Sequence, residues 1–166
     1  MKKLAALCAV LALCLSLLSA CAPKQQAEKD VDLAAFARQV MENHEFSALE
    51  KADPADAEIG AIMLENSYPG LKDMDLDQLE AYLPMISFSG GELVLAKAKS
   101  PEDAAKVKQL FQARIEAKTT EGPGNYPEEV EMWQHSARVA DNGSYVMLVN
   151  HQDSEAIASE FNALFQ

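Results

Sequence analysis

The sequence predicts an α+β domain: a small, mainly antiparallel sheet made of two β-hairpins, each followed by a helix packed on the sheet, with further helices N-terminal to it. Three observations carry this expectation. Leu93-Val94-Leu95-Ala96 and Tyr145-Val146-Met147-Leu148-Val149 are apolar without alternation, the pattern of strands covered on both faces. A turn signal precedes each run, Ser89-Gly90-Gly91 and Asp141-Asn142-Gly143, and Asn-Gly is the strongest short hairpin signal because both residues tolerate positive φ. Each run is followed by a capped helical pattern, which places helices on the sheet.

In chain order, Leu33, Phe36, Ala37, Val40 and Met41 recur at helical spacing and predict a helix from Asp32 to about Asn43. Asp53-Pro54 reads as a cap followed by proline in the first turn, opening a second helix through Ile59, Ile62 and Met63 toward Asn66, with Gly60 as an unfavourable interior residue. Tyr68-Pro69-Gly70 breaks the pattern, and Asp75 to Tyr82 reads as a further short helix. Met85 to Phe88 and Glu92 to Ala98 form the first expected hairpin, and a helix from Pro101 to about Lys118, capped by Ser100, presents Ala104, Val107, Leu110, Phe111 and Ile115 to the sheet. Ser136 to Ala140 and Ser144 to Asn150 form the second hairpin, followed by a helix from Ser154 to Phe165 capped by Asp153.

The first thirty residues read differently. Lys2 and Lys3 precede an uncharged run from Leu4 to Leu18, then Leu18-Ser19-Ala20-Cys21, the small-residue tripeptide ending in cysteine that marks a bacterial lipoprotein precursor. The run is shorter than the roughly 20 apolar residues that span a bilayer. The expected organisation is a signal peptide over 1–20, a flexible tether over 21–30 bearing an acylated Cys21, and a single α+β domain over 31–166. An ordinary secretory cut after Ala22 is the competing reading, since Ala20-Cys21-Ala22 also places small residues at the required spacing. Cys8 and Cys14 lie in the leader, so Cys21 alone would remain; disulfide staples and cysteine-based metal sites are excluded, and the 146 residues left are enough for an ordinary apolar core.

The leader takes two of the 14 Lys+Arg, leaving 12 against 26 Asp+Glu, a formal charge of −14 where the whole chain has −12. With its basic residues scattered, such a domain repels nucleic acid, anionic polymers and anionic headgroups. The expected location is the extracytoplasmic face of the cell membrane, held by lipid, with a protein or cell-envelope component as partner.

No Gly-x-Ser-x-Gly, His-Glu-x-x-His or phosphate-loop motif is present, and no cofactor is expected. Asp73, Asp75 and Asp77 alternate like the first half of a calcium loop, but Gln78 stands where the glycine belongs and Pro84 where the bidentate Glu belongs, so they are read as residues favoured at a helix start. His44, His135 and His151 have no partner at metal-ligand spacing, so no metal site is expected and each is placed at an element end. The candidate binding surface is Tyr126, Glu131, Trp133 and His135; against it stands the general tendency of tryptophan to be buried, which would make Trp133 an anchor of its helix on the sheet. A binding or accessory module is the leading expectation. A carboxylate-based enzyme acting on a cell-envelope substrate through Glu65, Glu128 and Glu131 is the alternative, and a small-ligand carrier is disfavoured because such receptors use two lobes.

Asn125-Tyr126-Pro127-Glu128-Glu129-Val130-Glu131-Met132-Trp133, Arg138-Val139 and Gly143-Ser144-Tyr145-Val146-Met147, with the Glu92-Leu93-Val94-Leu95 strand and Phe111-Gln112-Ala113-Arg114-Ile115, resemble the family known as domain of unknown function 4358 over roughly residues 56 to 166. Its members look like lipoproteins of low-GC Gram-positive bacteria. The resemblance implies no activity, ligand or catalytic residue; it implies only that the Tyr-Pro-Glu…Trp segment is a shared feature of fold or site. Pro127 is suited to the first helical position there, ahead of Glu128 and Glu129 at the positive helix end.

Overall fold

The computed structural model describes residues 29–85, 91–120 and 126–166. Helix α1 (Leu33–Asn43) leads into strand β1 (Leu49–Lys51), helix α2 (Gly60–Ser67), a single 3₁₀ turn (Leu71–Asp73) and strand β2 (Leu76–Pro84). Strand β3 (Glu92–Ala98), helices α3 (Pro101–Thr119) and α4 (Pro127–Ser136), strands β4 (Ala137–Asn142) and β5 (Tyr145–Asn150) and helix α5 (Ser154–Ala163) complete the chain. The architecture is α+β: one five-stranded antiparallel sheet in the order β1-β2-β3-β5-β4, with helices packed on it.

The two unalternating runs are the central strands. Side chains in a strand point to opposite faces in turn, so β3 sends Val94, Ala96 and Ala98 to one side and Leu93 and Leu95 to the other, and all are buried. The first face packs under α2, α3 and α4 through Leu64, Tyr68, Val107, Phe111 and Trp133. The second packs under α1 and α5 through Leu33, Phe36, Val40, Ile157 and Phe161. Two cores share one sheet.

Helix α1 begins where the sequence places it, with Asp32 Oδ1 accepting from the Ala35 amide at 2.9 Å. Just before it, the Val31 amide donates to Tyr145 Oη at 3.0 Å, Gln78 Nε2 donates to the Val31 carbonyl at 2.9 Å, and Lys97 reaches Asp30 at 2.9 Å. Ser100 caps α3 as expected, its hydroxyl accepting from the Asp103 amide at 3.1 Å.

Several expectations are corrected. Asp75 to Tyr82 is not helical; Leu76 to Tyr82 lies in strand β2, which also replaces Met85 to Phe88 as the hairpin partner of β3, residues 86–88 and the turn residues 89–90 being outside the described residues. Leu76 stands opposite Ala98 and Leu79 opposite Ala96, so a bulge at Asp77 puts two residues three apart on the same face. That spacing imitates a helix. With no helix to start, Asp75 instead pairs with Lys99 at 2.5 Å, and Asp73 with Lys72 at 2.9 Å.

Asp53-Pro54 likewise opens a turn rather than a helix: Asp53 Oδ1 accepts from the Ala55 amide at 2.8 Å, Asp56 Oδ1 from the Glu58 amide at 3.0 Å, and α2 begins only at Gly60. Gly60 is the first residue of α2, pressed so closely on Asp53 that a Cβ would stand 2.2 Å from the Asp53 carbonyl oxygen. Strand β1 went unpredicted because three residues are too few to show alternation. The second hairpin runs further than expected, with Asn142 opposite Tyr145 and Gly143 at φ 58° in the two-residue link. Asp153 stands at the start of α5 but makes no side-chain cap bond, because its carboxylate is turned toward His44.

Candidate functional site

The candidate residues on α4 separate into an inner and an outer set. Trp133 is 1% exposed, packed in the first core with Phe111 and Leu148, so it cannot wall a surface groove. Helical periodicity turns Glu129, Val130 and Trp133 inward together, leaving Glu131 and His135 on the outer stripe one turn apart, with Tyr126 exposed at the helix start. Glu129 is drawn inward by Lys118 of α3, whose Nζ stands 2.6 Å from Oε1.

Behind Trp133 lies a polar network that no sequence pattern announces. Glu92, 1% exposed at the start of β3, is ion-paired with Arg114 of α3 and accepts from Tyr68 Oη at 2.7 Å. The Arg114 guanidinium lies 5.6 Å from the Tyr68 ring and 5.5 Å from the Trp133 ring, so two aromatic faces share its charge. Burial, then the adjacent Glu92 carboxylate, pushes the Tyr68 phenol well above its ordinary range. Among the described residues, the three buried carboxylates Glu80, Glu92 and Glu129 each meet a cation, respectively Lys51, Arg114 and Lys118. Such pairing suits structural roles, because a catalytic acid or base needs its proton affinity tuned rather than locked. Glu65, at 3.6 Å from Lys72, sits on α2, while Glu128 and Glu131 are exposed on α4.

A surface concavity lies at the β1 edge of the sheet. Arg38, Met41 and Glu42 of α1 face Leu49 and Lys51 of β1 and Tyr82 of β2 around a cleft of about 300 Å³. Lys51 holds Glu80 at 2.9 Å, and that bond raises its ammonium above the usual lysine range. Met41, Leu49 and Tyr82 give the cleft apolar walls, with Arg38, Glu42 and the Glu80-paired Lys51 as its charged groups, a lining suited to an amphipathic group.

A second cluster joins the chain's two ends. His44 closes α1, His151 follows β5, and Asp153 starts α5; one ligand atom from each lies within 4.8 Å of the others. More than a hundred residues separate His44 from His151, so spacing rules applied along the chain do not find the pair. The available signal was local: His151 and Asp153 are two apart at a strand-to-helix junction.

Together these features define a class of protein: an antiparallel sheet clad on both faces by helices, with buried ion pairs and a cleft at the sheet edge. Residues 53–151, from the turn before α2 to the end of β5, match the family Domain of unknown function (DUF4358), and the chain belongs to it. No curated protein and no solved structure matches the chain.

Proposed function

We propose that the protein is a lipid-anchored module on the outer face of the cytoplasmic membrane that binds a protein or cell-envelope component. The observation that carries this reading is Leu18-Ser19-Ala20-Cys21 behind an apolar run, with Cys21 the sole cysteine outside that leader. Two acyl chains at Cys21 hold a protein stably, each buried methylene contributing about 0.8 kcal/mol. Residues 1–28 lie outside the described residues; among those described, no helix is long and apolar enough to cross a membrane. A binding role is supported by the cleft at the β1 edge and by the pairing of the buried carboxylates with cations.

The test joins address and role. Cells fed an alkyne-tagged fatty acid label the wild-type chain and not Cys21→Ser, which is released; an unlabelled wild-type chain in the medium overturns the anchorage. A photo-crosslinking residue at Met41 or Leu49, in the cleft, forms a discrete adduct in intact cells that Arg38→Glu weakens. Loss of no adduct on that change, or the same adduct from Glu102 on α3, overturns the cleft as the binding surface.

A further inference from the structure

We infer that His44, His151 and Asp153 form a site for a divalent transition metal, with zinc the best-fitting ion. Asp153 Oδ2 lies 3.2 Å from His44 Nδ1 and 3.8 Å from His151 Nδ1. In a tetrahedral zinc site with bonds of about 2.0–2.2 Å, neighbouring donor atoms stand about 3.4 Å apart. All three donor atoms lie within 4.8 Å of one another, so side-chain adjustments of about an ångström bring them to zinc spacing.

The remote ring nitrogens carry the argument further. A metal-bound histidine donates its other N–H to a carbonyl or carboxylate, which orients the ring and fixes its tautomer. His151 Nε2 faces the Glu45 carbonyl oxygen at 3.1 Å, and a carbonyl oxygen can only accept, so the proton is on Nε2 and Nδ1 presents a lone pair toward Asp153. His44 Nε2 faces Glu160 Oε1 at 3.2 Å, the carboxylate–histidine pairing of a metal-bound imidazole, while its Nδ1 is hydrogen-bonded to the Asp153 carboxylate, and a metal ion displaces the proton of that bond on binding. The second Glu160 oxygen is buried without a hydrogen-bond partner among the described residues. The Phe46 ring, 4.3 Å from the His151 ring, covers one side.

Two imidazoles and a carboxylate suit zinc and its neighbours rather than calcium or magnesium, which take oxygen. Asp153 and Glu160 offset the charge of a divalent ion. Three protein donors leave a fourth position for water or an incoming ligand atom. The His151 Nδ1 lone pair also accepts the Asp153 amide at 3.0 Å, a hydrogen bond that a bound metal replaces. His151 lies within the stretch matched by the family, and His44 and Asp153 lie outside it.

The purified full chain is titrated with zinc against a chromophoric chelator, and separately with cobalt, whose visible absorption reports coordination. One equivalent of zinc is expected, with a tetrahedral-type cobalt spectrum. Asp153→Asn, which keeps a good helix-starting residue, and His44→Gln each lose that equivalent, while Glu160→Gln weakens binding about 10- to 100-fold. His135→Gln, at the exposed histidine of α4, binds as wild type. Circular dichroism establishes that each variant is folded. Absence of a stoichiometric equivalent in the wild type, or equal binding by folded Asp153→Asn and His44→Gln, overturns the site.

Discussion

The Tyr68 hydroxyl donates to Glu92 Oε2 at 2.7 Å, and this bond ties the end of α2 to the start of the central strand β3 beneath Arg114. Three elements meet at one buried carboxylate. Arg114→Met is expected to destabilise by about 3–5 kcal/mol, because it strands Glu92 in the core without its cation. Adding Glu92→Leu to that variant should restore much of the loss, since removing both charges removes the desolvation penalty as well. Urea denaturation of the two variants decides; a double variant no more stable than Arg114→Met contradicts this account.

The same phenol makes stability depend on alkaline pH. Burial raises the Tyr68 pKa in the folded state, so its contribution is complete below the unfolded phenol value of about 10 and is lost as pH rises, because the unfolded chain releases the proton first. Tyr68→Phe should flatten the fall in melting temperature above about pH 10, while costing about 1.5–3 kcal/mol at neutrality through the lost bond to a charged acceptor. An unchanged alkaline slope in Tyr68→Phe assigns the effect elsewhere.

Trp133 is the single tryptophan, so emission from the chain reports one site. Its 1% exposure predicts a blue-shifted spectrum and resistance to iodide and acrylamide, both lost on unfolding. Trp133→Ala should cost about 3–5 kcal/mol. A red-shifted, readily quenched native spectrum contradicts the placement of α4.

Gly60→Ala should destabilise although alanine is the better helix former. The added methyl meets Asp53 backbone atoms at 2.2 and 2.7 Å, so the Asp53 turn must move, at about 1–3 kcal/mol or more. Thermal melting checks the sign, since helix propensity alone predicts a gain.

The elements most readable in the chain are those whose local signals agree with one another. Asp32 and Ser100 cap the helices they precede, Pro127 starts α4, and Gly143 lies in the link of the second hairpin, one residue later than the Asn142-Gly143 signal places the turn, because each act depends on neighbours within a few residues. Strand β2 was hidden by its bulge: Leu76 and Leu79 keep a helical spacing only because Asp77 is an extra residue in the ladder. The candidate surface on α4 was half legible. Its periodicity separates Glu131 and His135 from Trp133, but which stripe faces the sheet depends on the packing of α3 and β5 against it.

By itself the sequence determined the composition of the core strands, the Ser100 helix cap, the acidic charge and the presence of a single cysteine beyond the leader, all properties of residues or of short runs. Only the tertiary structure decided that Glu92 meets Tyr68 and Arg114, that His44 meets His151 and Asp153, and that α1 and β1 enclose a cleft. The reason is contact distance: these groups act on one another over a few ångströms of space, and the chain separates them by up to more than a hundred residues, so nothing but the folded sheet and its two helical layers brings them together.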